Sequence, residues 1–234
     1  MKNYLKLIRV EQWVKNLFVF APLFFSGYIA VPTLFYKSVF AFIIFSITAS
    51  SIYIINDYFD IESDKKHPEK KNRPLASGAI SKTSAKVLFG FLVALSIGLI
   101  FLGSYIFETN YWKFGIIIAA YFVMNIFYTF KLKHVAIVDI CIIASGFVLR
   151  ILAGGYAADI QTTQWAILLT FVLALVLAIG KRRGELINAQ ISGKTRKSLD
   201  GYNVQFADIA LSISVTLAII CYLMFTLSPE IQKK

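Results

Sequence analysis

Asn56, Asp57, Asp60 and Asp64 open the polar stretch NDYFDIESDKKHPEKKNRPLASG, residues 56–78, and their types and spacing point to chemistry. On a helix continuing out of the preceding apolar run, Asn56, Asp60 and Asp64 recur every four residues. They spread over about 80° of the helix, with Asp57 beside them. Three carboxylates and an amide on one stripe repel one another unless a cation sits among them. Hard oxygen donors of this kind suit Mg2+, which keeps several waters and is usually completed by substrate phosphates. His67, Lys70, Lys71 and Arg73 follow directly and offer phosphate contacts. The plainer alternative is a solvated helix end.

Two further polar clusters follow. In AIGKRRGEL, residues 178–186, Lys181 and Glu185 share a helix face and Arg182 lies three before Glu185. The alternative is a topogenic stop with one compensating acid. Arg196 and Tyr202, downstream, either complete a phosphate-rich pocket or sit among headgroups. In NIFYTFKLKHVAIVD, residues 125–139, Asn125, Tyr128, Lys131, Lys133 and Asp139 gather around one turn, although Tyr128 alone also fits an interfacial tyrosine. Arg150 stands in an apolar helix about 16 Å beyond Asp139. It requires a partner, a wet cavity or a path to the interface. Phosphate binding, an internal pair and snorkelling all stay open for it. Gly146, Gly154 and Gly155 nearby allow close helix approach.

The elements that must position these groups are membrane helices. Of 234 residues, 58% are apolar and 16% charged, with 13 glycines besides. Soluble domains carry about 25% charged residues, so a plain soluble enzyme is excluded, as is a disordered chain. Seven hydrophobic segments can be drawn, at roughly 16–31, 35–56, 86–107, 111–130, 136–157, 163–180 and 205–227. Most approach the ~20 residues that a spanning helix needs, and no strand-like alternation competes. The predicted fold class is therefore all-α, a polytopic membrane helical bundle formed by residues 1–234 as a single domain. Basic residues concentrate in the N-terminal stretch and in the links at 57–85, 131–135 and 181–204. The positive-inside rule then places the N-terminus in the cytoplasm and the C-terminus outside. Ten of the 13 acidic residues fall on that same inner side. Topology needs lysines, not carboxylates, so the enrichment points to a cytoplasmic-side polar active site. The +11 charge accordingly reads as topology plus phosphate binding, not nucleic-acid binding. Cys141 and Cys221 lie within apolar runs, and two histidines exclude a multi-histidine metal site. No signal-peptide cleavage pattern is seen at the N-terminus.

With these residues in view, the sequence resembles the UbiA prenyltransferase superfamily, and within it the decaprenyl-phosphate phosphoribosyltransferase group. Asn56, Asp57, Asp60 and Asp64 match the superfamily signature NDxxDxxxD. The opening RVEQWVKNLFVFAPLFF is similar to the group's R-x-x-Q-W-x-K-N start, at Arg9, Gln12, Trp13, Lys15, Asn16 and Pro22. Asp64, His67, Pro68, Lys70, Arg73, Pro74, Ser77 and Gly78 match its extended D-x-x-H-P-x-K-x-x-R-P-x-x-S-G pattern. YTFKLK, Asp139, GFVLRILAG with Arg150, and GKRRGEL also fit. Superfamily enzymes acting on aromatic rings carry a second motif, DxxxD, where this chain reads KRRGE at 181–185. The exchange favours anionic substrates over a second metal clamp. The family has about nine spanning helices against the seven drawn here, so the resemblance implies a chain about two helices short.

The resemblance implies a Mg2+-dependent transfer of a 5-phosphoribosyl group from 5-phosphoribosyl 1-diphosphate to a polyprenyl phosphate, in a multi-pass protein of the bacterial inner membrane, serving cell-envelope biosynthesis. Asn56, Asp60 and Asp64 would hold the metal. Lys15, Asp57, His67, Lys70, Lys71, Arg73, Lys181, Arg182, Arg196 and Tyr202 would bind substrate. Tyr128, Lys133 and Glu185 would join Asp60 and Asp64 as catalytic residues, orienting ribose hydroxyls or supporting cationic side chains. The alternatives are transfer of a prenyl group from a prenyl diphosphate to a small acceptor, which needs a second carboxylate-rich site, and a transporter, which needs polar residues at mid-membrane in several helices.

Overall fold

The computed structural model describes residues 2–107, 111–192, 199 and 201–228, and these are helical, with no strand among them. They form α1 (Lys2–Leu7), α2 (Ala21–Phe25), α3 (Pro32–Phe59), α4 (Ile61–Lys65), α5 (Lys82–Ile106), α6 (Trp112–Phe130), α7 (Val138–Ala158), α8 (Gln164–Ser192) and α9 (Val204–Leu227). Six of them, α3 and α5–α9, are long and apolar enough to cross a membrane. Each follows from a long apolar run bounded by local stop and start signals. Pro32 occupies the first turn of α3, where its missing N–H costs nothing. Ser81 and Asn203 cap α5 and α9 by accepting the backbone N–H groups of Ser84 and Phe206. At 28 residues, α3 is about 42 Å long and exceeds a ~30 Å hydrocarbon layer, so polar residues at its end need not lie in lipid.

The expected first spanning segment, 16–31, is not one helix. Val10–Phe20 is a 3-10 helix, followed by the short α2 and a single 3-10 turn at Tyr28–Ala30. Hence six long helices are found among the described residues where the sequence suggested seven. Arg9 and Gly27 bracket the stretch in the left-handed backbone region. The physical cause lies in side-chain register. A 3-10 helix stacks every third residue, which puts Trp13, Asn16 and Val19 on one face. Trp13 Nε1 donates to Ser50 Oγ at 3.0 Å, and the Asn16 amide donates to Ser46 Oγ at 3.0 Å. Ser50 in turn donates to the Ile8 carbonyl at 2.7 Å. Val19 lies against Gly154, where a Cβ would stand 1.8 Å from the Val19 carbonyl oxygen.

The chain divides into two compact units. The first holds residues 1–126 and 152–160. Its core gathers Leu7, Ile54, Ile61, Leu75, Ile80, Ala85 and Leu92, drawn from α1, α3, α4, the following loop and α5. Thr48 and Ser96 join α3 to α5 by a hydroxyl contact of 3.2 Å. The second unit holds residues 127–151 and 161–234. There Ile140, Ala178, Ile179 and Ala207 from α7, α8 and α9 are buried together, with Tyr202 packed against them. Helix α8 continues to Ser192, so Lys181–Glu185 lie on helix where a loop starting at 181 was expected.

Candidate functional site

In the first unit, α3 gives way to α4 at Asp60, whose φ of −89° and ψ of 4° interrupt the regular helix. The backbone hydrogen bonds from Asp60 to Asn56 (3.0 Å) and from Asp64 to Asp60 (2.8 Å) nevertheless persist. Asn56, Asp60 and Asp64 therefore keep the four-residue register that the sequence suggested. Asp57 and Asp64 are each 2% exposed, while Asn56 and Asp60 are half-buried. Burying a carboxylate demands compensation, and arginines provide it. Arg73 Nη1 donates to Asp64 Oδ2 at 2.8 Å and to Asp57 Oδ1 at 3.1 Å. Arg9 Nη2 donates to the same Asp57 oxygen at 2.5 Å, with its guanidinium 4.9 Å from the Tyr53 ring centre. The result is a chain of charges: Arg9, Asp57, Arg73, Asp64.

The loop that brings Arg73 back is itself organised. The His67 ring accepts the backbone N–H groups of Glu69 and Lys70 on Nδ1, at 3.2 and 3.3 Å. That nitrogen is an acceptor here and holds the turn. A 3-10 turn at Lys70–Asn72 follows, and Arg73 is extended, as the residue before Pro74 must be. Buried Leu75, Ala76 and Ile80 then anchor the loop in the core. Lys71 and Lys15 are exposed and Lys70 is half-buried. Glu62 pairs with Lys65 at 2.9 Å, which lowers its carboxyl below the ordinary value; both groups are exposed.

Among the described residues, no three of His, Cys, Asp or Glu converge as a protein-only metal cage. Mg2+ rarely uses one, taking one or two carboxylates together with waters and substrate phosphates. By donor chemistry Asn56, Asp60 and Asp64 fit that ion, although Asp64 now pairs with Arg73.

In the second unit the polar residues centre on Asp139, 1% exposed, in the first turn of α7. Arg182 donates to it from Nε at 2.9 Å and from Nη2 at 2.7 Å. Arg182 also donates to Glu185 at 2.7 Å. The Tyr202 hydroxyl donates to Asp139 and accepts the N–H of Ile137 at 2.7 Å. Burial and then the Asp139 contact push the Tyr202 phenol well above its ordinary value. Ile137 sits at φ 68°, an uncommon conformation for a β-branched residue. Arg183 pairs with Asp208.

Arg182, Glu185 and Tyr202 are thus brought together. Lys181 stands exposed beside them, and Tyr128 and Lys133 are half-buried in the same unit. Arg196 lies outside the described residues. Arg150, 5% exposed, donates to the Gly146 carbonyl at 2.8 Å and lies over Phe147, an arrangement within its own helix. Sequence reasoning placed Asp139 in a polar cluster and Arg9 in a family motif and a basic stretch, but gave neither a role in the site. The partner of Arg9, Asp57, is 48 residues away.

Comparison with known proteins bears on what this arrangement belongs to. Residues 17–229 match the UbiA prenyltransferase family. The decaprenyl-phosphate phosphoribosyltransferase of Mycolicibacterium smegmatis is 39% identical, over 98% of this chain and 72% of its own length. Proteins of the same name from Corynebacterium glutamicum and Mycobacterium tuberculosis are 35% and 36% identical, over 94% and 93% of this chain. The chain spans 66% and 71% of those two relatives. Among solved structures, a UbiA homologue from Archaeoglobus fulgidus bound to DMAPP and Mg2+ superposes with a TM-score of 0.71 at 19% identity. That alignment covers 96% of this chain and 76% of the homologue. A digeranylgeranylglyceryl phosphate synthase structure gives 0.68 at 22% identity, covering 97% of this chain and 79% of the other. The all-α membrane fold is the one those proteins share, and this chain belongs to the UbiA prenyltransferase family.

Proposed function

We propose that this chain transfers the 5-phosphoribosyl group of 5-phosphoribosyl 1-diphosphate to a polyprenyl phosphate, releasing diphosphate. The observation that carries this reading is the contrast between its two polar clusters. One is an acidic stripe with a returning arginine. In the other, Arg182 of KRRGE is already bonded to two carboxylates, Asp139 and Glu185. The second cluster therefore offers cations, such as exposed Lys181, to an anionic partner. Relatives named for this reaction, at 35–39% identity, support it.

The new bond joins an acceptor phosphate oxygen to ribose C1 as the bond from C1 to the diphosphate oxygen breaks. The acceptor is an anion near neutral pH, so no side chain has to act as a strong base. Asn56, Asp60 and Asp64 would hold Mg2+, which supplies charge neutralisation of the leaving diphosphate. Lys70, Lys71 and Arg73 bind the donor phosphates, and His67 keeps their loop folded. Lys181 and Arg196 hold the acceptor phosphate or the ribose 5-phosphate, and Lys15 is a substrate-binding residue of the first unit. Tyr128 and Lys133 orient ribose hydroxyls. Glu185, Asp139 and Tyr202 fix Arg182 as a positioning group. Catalysis then rests on alignment and electrostatics. We place the reaction at the cytoplasmic side of a bacterial inner membrane with the N-terminus inside, on the distribution of basic residues.

Ribose-labelled donor tests this directly. With Mg2+ and polyprenyl phosphate, the purified chain should move the label into lipid, and Asp60→Ala and Asp64→Ala should reduce the rate at least ~100-fold. Label remaining entirely in the aqueous phase would count against the reading.

A further inference from the structure

We infer that Arg73 is an internal stand-in for the divalent cation. Its guanidinium neutralises Asp64, and on metal binding it withdraws onto Asp57. The inference rests on the reading of Asp64 as a metal position, and goes beyond it by giving Asp57 and Arg9 a different task.

Three observations support the exchange. First, one nitrogen, Arg73 Nη1, is shared between Asp64 Oδ2 at 2.8 Å and Asp57 Oδ1 at 3.1 Å, so losing one partner leaves the other in place. Second, the two carboxylates are compensated unequally. Asp57 has Arg9 as a second cation, whereas among the described residues Asp64 pairs with Arg73. A carboxylate that is 2% exposed requires its charge to be compensated. Asp64 therefore has to be held by Arg73 or by an entering ion. Third, the two arginines reach Asp57 from different segments. The Arg73 side chain is 25% exposed and comes from the loop that follows α4. Arg9 packs over Tyr53 from a left-handed position and secures Asp57 independently. Asp57 is then the place where Arg73 is received, not a metal ligand. The N–H that leaves Asp64 becomes available to a diphosphate oxygen.

Mn2+ binding to the detergent-purified chain, without donor or acceptor, reads this out as loss of the free-ion EPR signal. Arg73→Gln should bind Mn2+ at least about tenfold more tightly than wild type, the scale of removing a unit charge a few ångströms away. Asp57→Asn should bind more weakly than wild type, because Arg73 is left with Asp64 as its remaining carboxylate. The double variant Asp57→Asn/Arg73→Gln should bind more tightly than Asp57→Asn, and Asp57→Asn should cost less binding when Arg73 is absent than when it is present. If Asp57 were a ligand, its substitution would weaken binding at least as much with Arg73 absent as with it present, and the proposal would fall. Equal or weaker binding by Arg73→Gln would overturn it as well. Should Arg73→Gln not fold, the double variant, which loses one charge of each sign, is compared with Asp57→Asn and must bind more tightly. Asp64→Asn separates the two levels. If it binds Mn2+ like wild type, the metal reading itself fails and takes the proposal with it. If it loses Mn2+ while Arg73→Gln stays unchanged, the proposal alone fails.

Discussion

Asp139 and Arg182 illustrate how burial ties two charged residues to each other. With side-chain exposures of 1% and 11%, they form a buried pair that Tyr202 and Glu185 complete. Removing one member of such a pair strands the other. Arg182→Gln and Asp139→Asn should each cost about 3–5 kcal/mol, read as lowered melting temperatures in detergent. The double variant should lose clearly less than the sum of the two. Full additivity would show that the pair is not coupled. Tyr202 adds a pH test. Its phenol is raised in the folded chain, so its stabilising contribution is complete below the ordinary tyrosine value of about 10. That contribution is lost only as pH rises beyond it. The melting difference between wild type and Tyr202→Phe should thus be constant from about pH 6 to 9 and shrink under strong alkali. At this scale the sequence was partly legible. The register of Asn56, Asp60 and Asp64 could be read because it is local. The partners of Asp57 and Asp139 could not, since Arg9 and Arg182 lie 48 and 43 residues away and a single sequence carries no distance information.

Between residues and the whole chain, the N-terminal 3-10 segment is the element least like its sequence expectation. Hydropathy sees an apolar run and counts a spanning helix. The structure follows the hydrogen-bonding needs of Trp13 and Asn16, which meet Ser50 and Ser46 on successive turns of α3. A three-residue period facing a four-residue period is invisible to a search for either one alone. The remaining six spans were legible, because long apolar runs between capping residues leave few other outcomes. Gly154 tests this docking. Gly154→Ala would drive a methyl group into the Val19 carbonyl and should lower the melting temperature by several degrees. Gly98→Ala, in α5 with open space at its Cβ, should be neutral or stabilising by about 0.5–1 kcal/mol. Equal effects at both positions would contradict the close approach of the segment to α7.

Across the molecule, composition and exposure tell one story. Val87, Phe101, Tyr105 and Leu177 are each about 70–80% exposed, which water would not tolerate on this scale but lipid requires. Apolar content announced the membrane class, and the few carboxylates marked the places where charge had to be organised. What remained illegible was which cations would claim those carboxylates. The chain spans 66–72% of the length of the decaprenyl-phosphate phosphoribosyltransferases it matches, so its own reaction needs direct measurement. Purified chain, Mg2+ and polyprenyl phosphate should be given 5-phosphoribosyl 1-diphosphate and a prenyl diphosphate with 4-hydroxybenzoate in parallel, and the lipid products identified by mass spectrometry. The expected product is a phosphoribosylated polyprenyl phosphate that disappears with Asp64→Ala, with no prenylated aromatic. A prenylated aromatic product without any phosphoribosylated lipid would contradict this expectation.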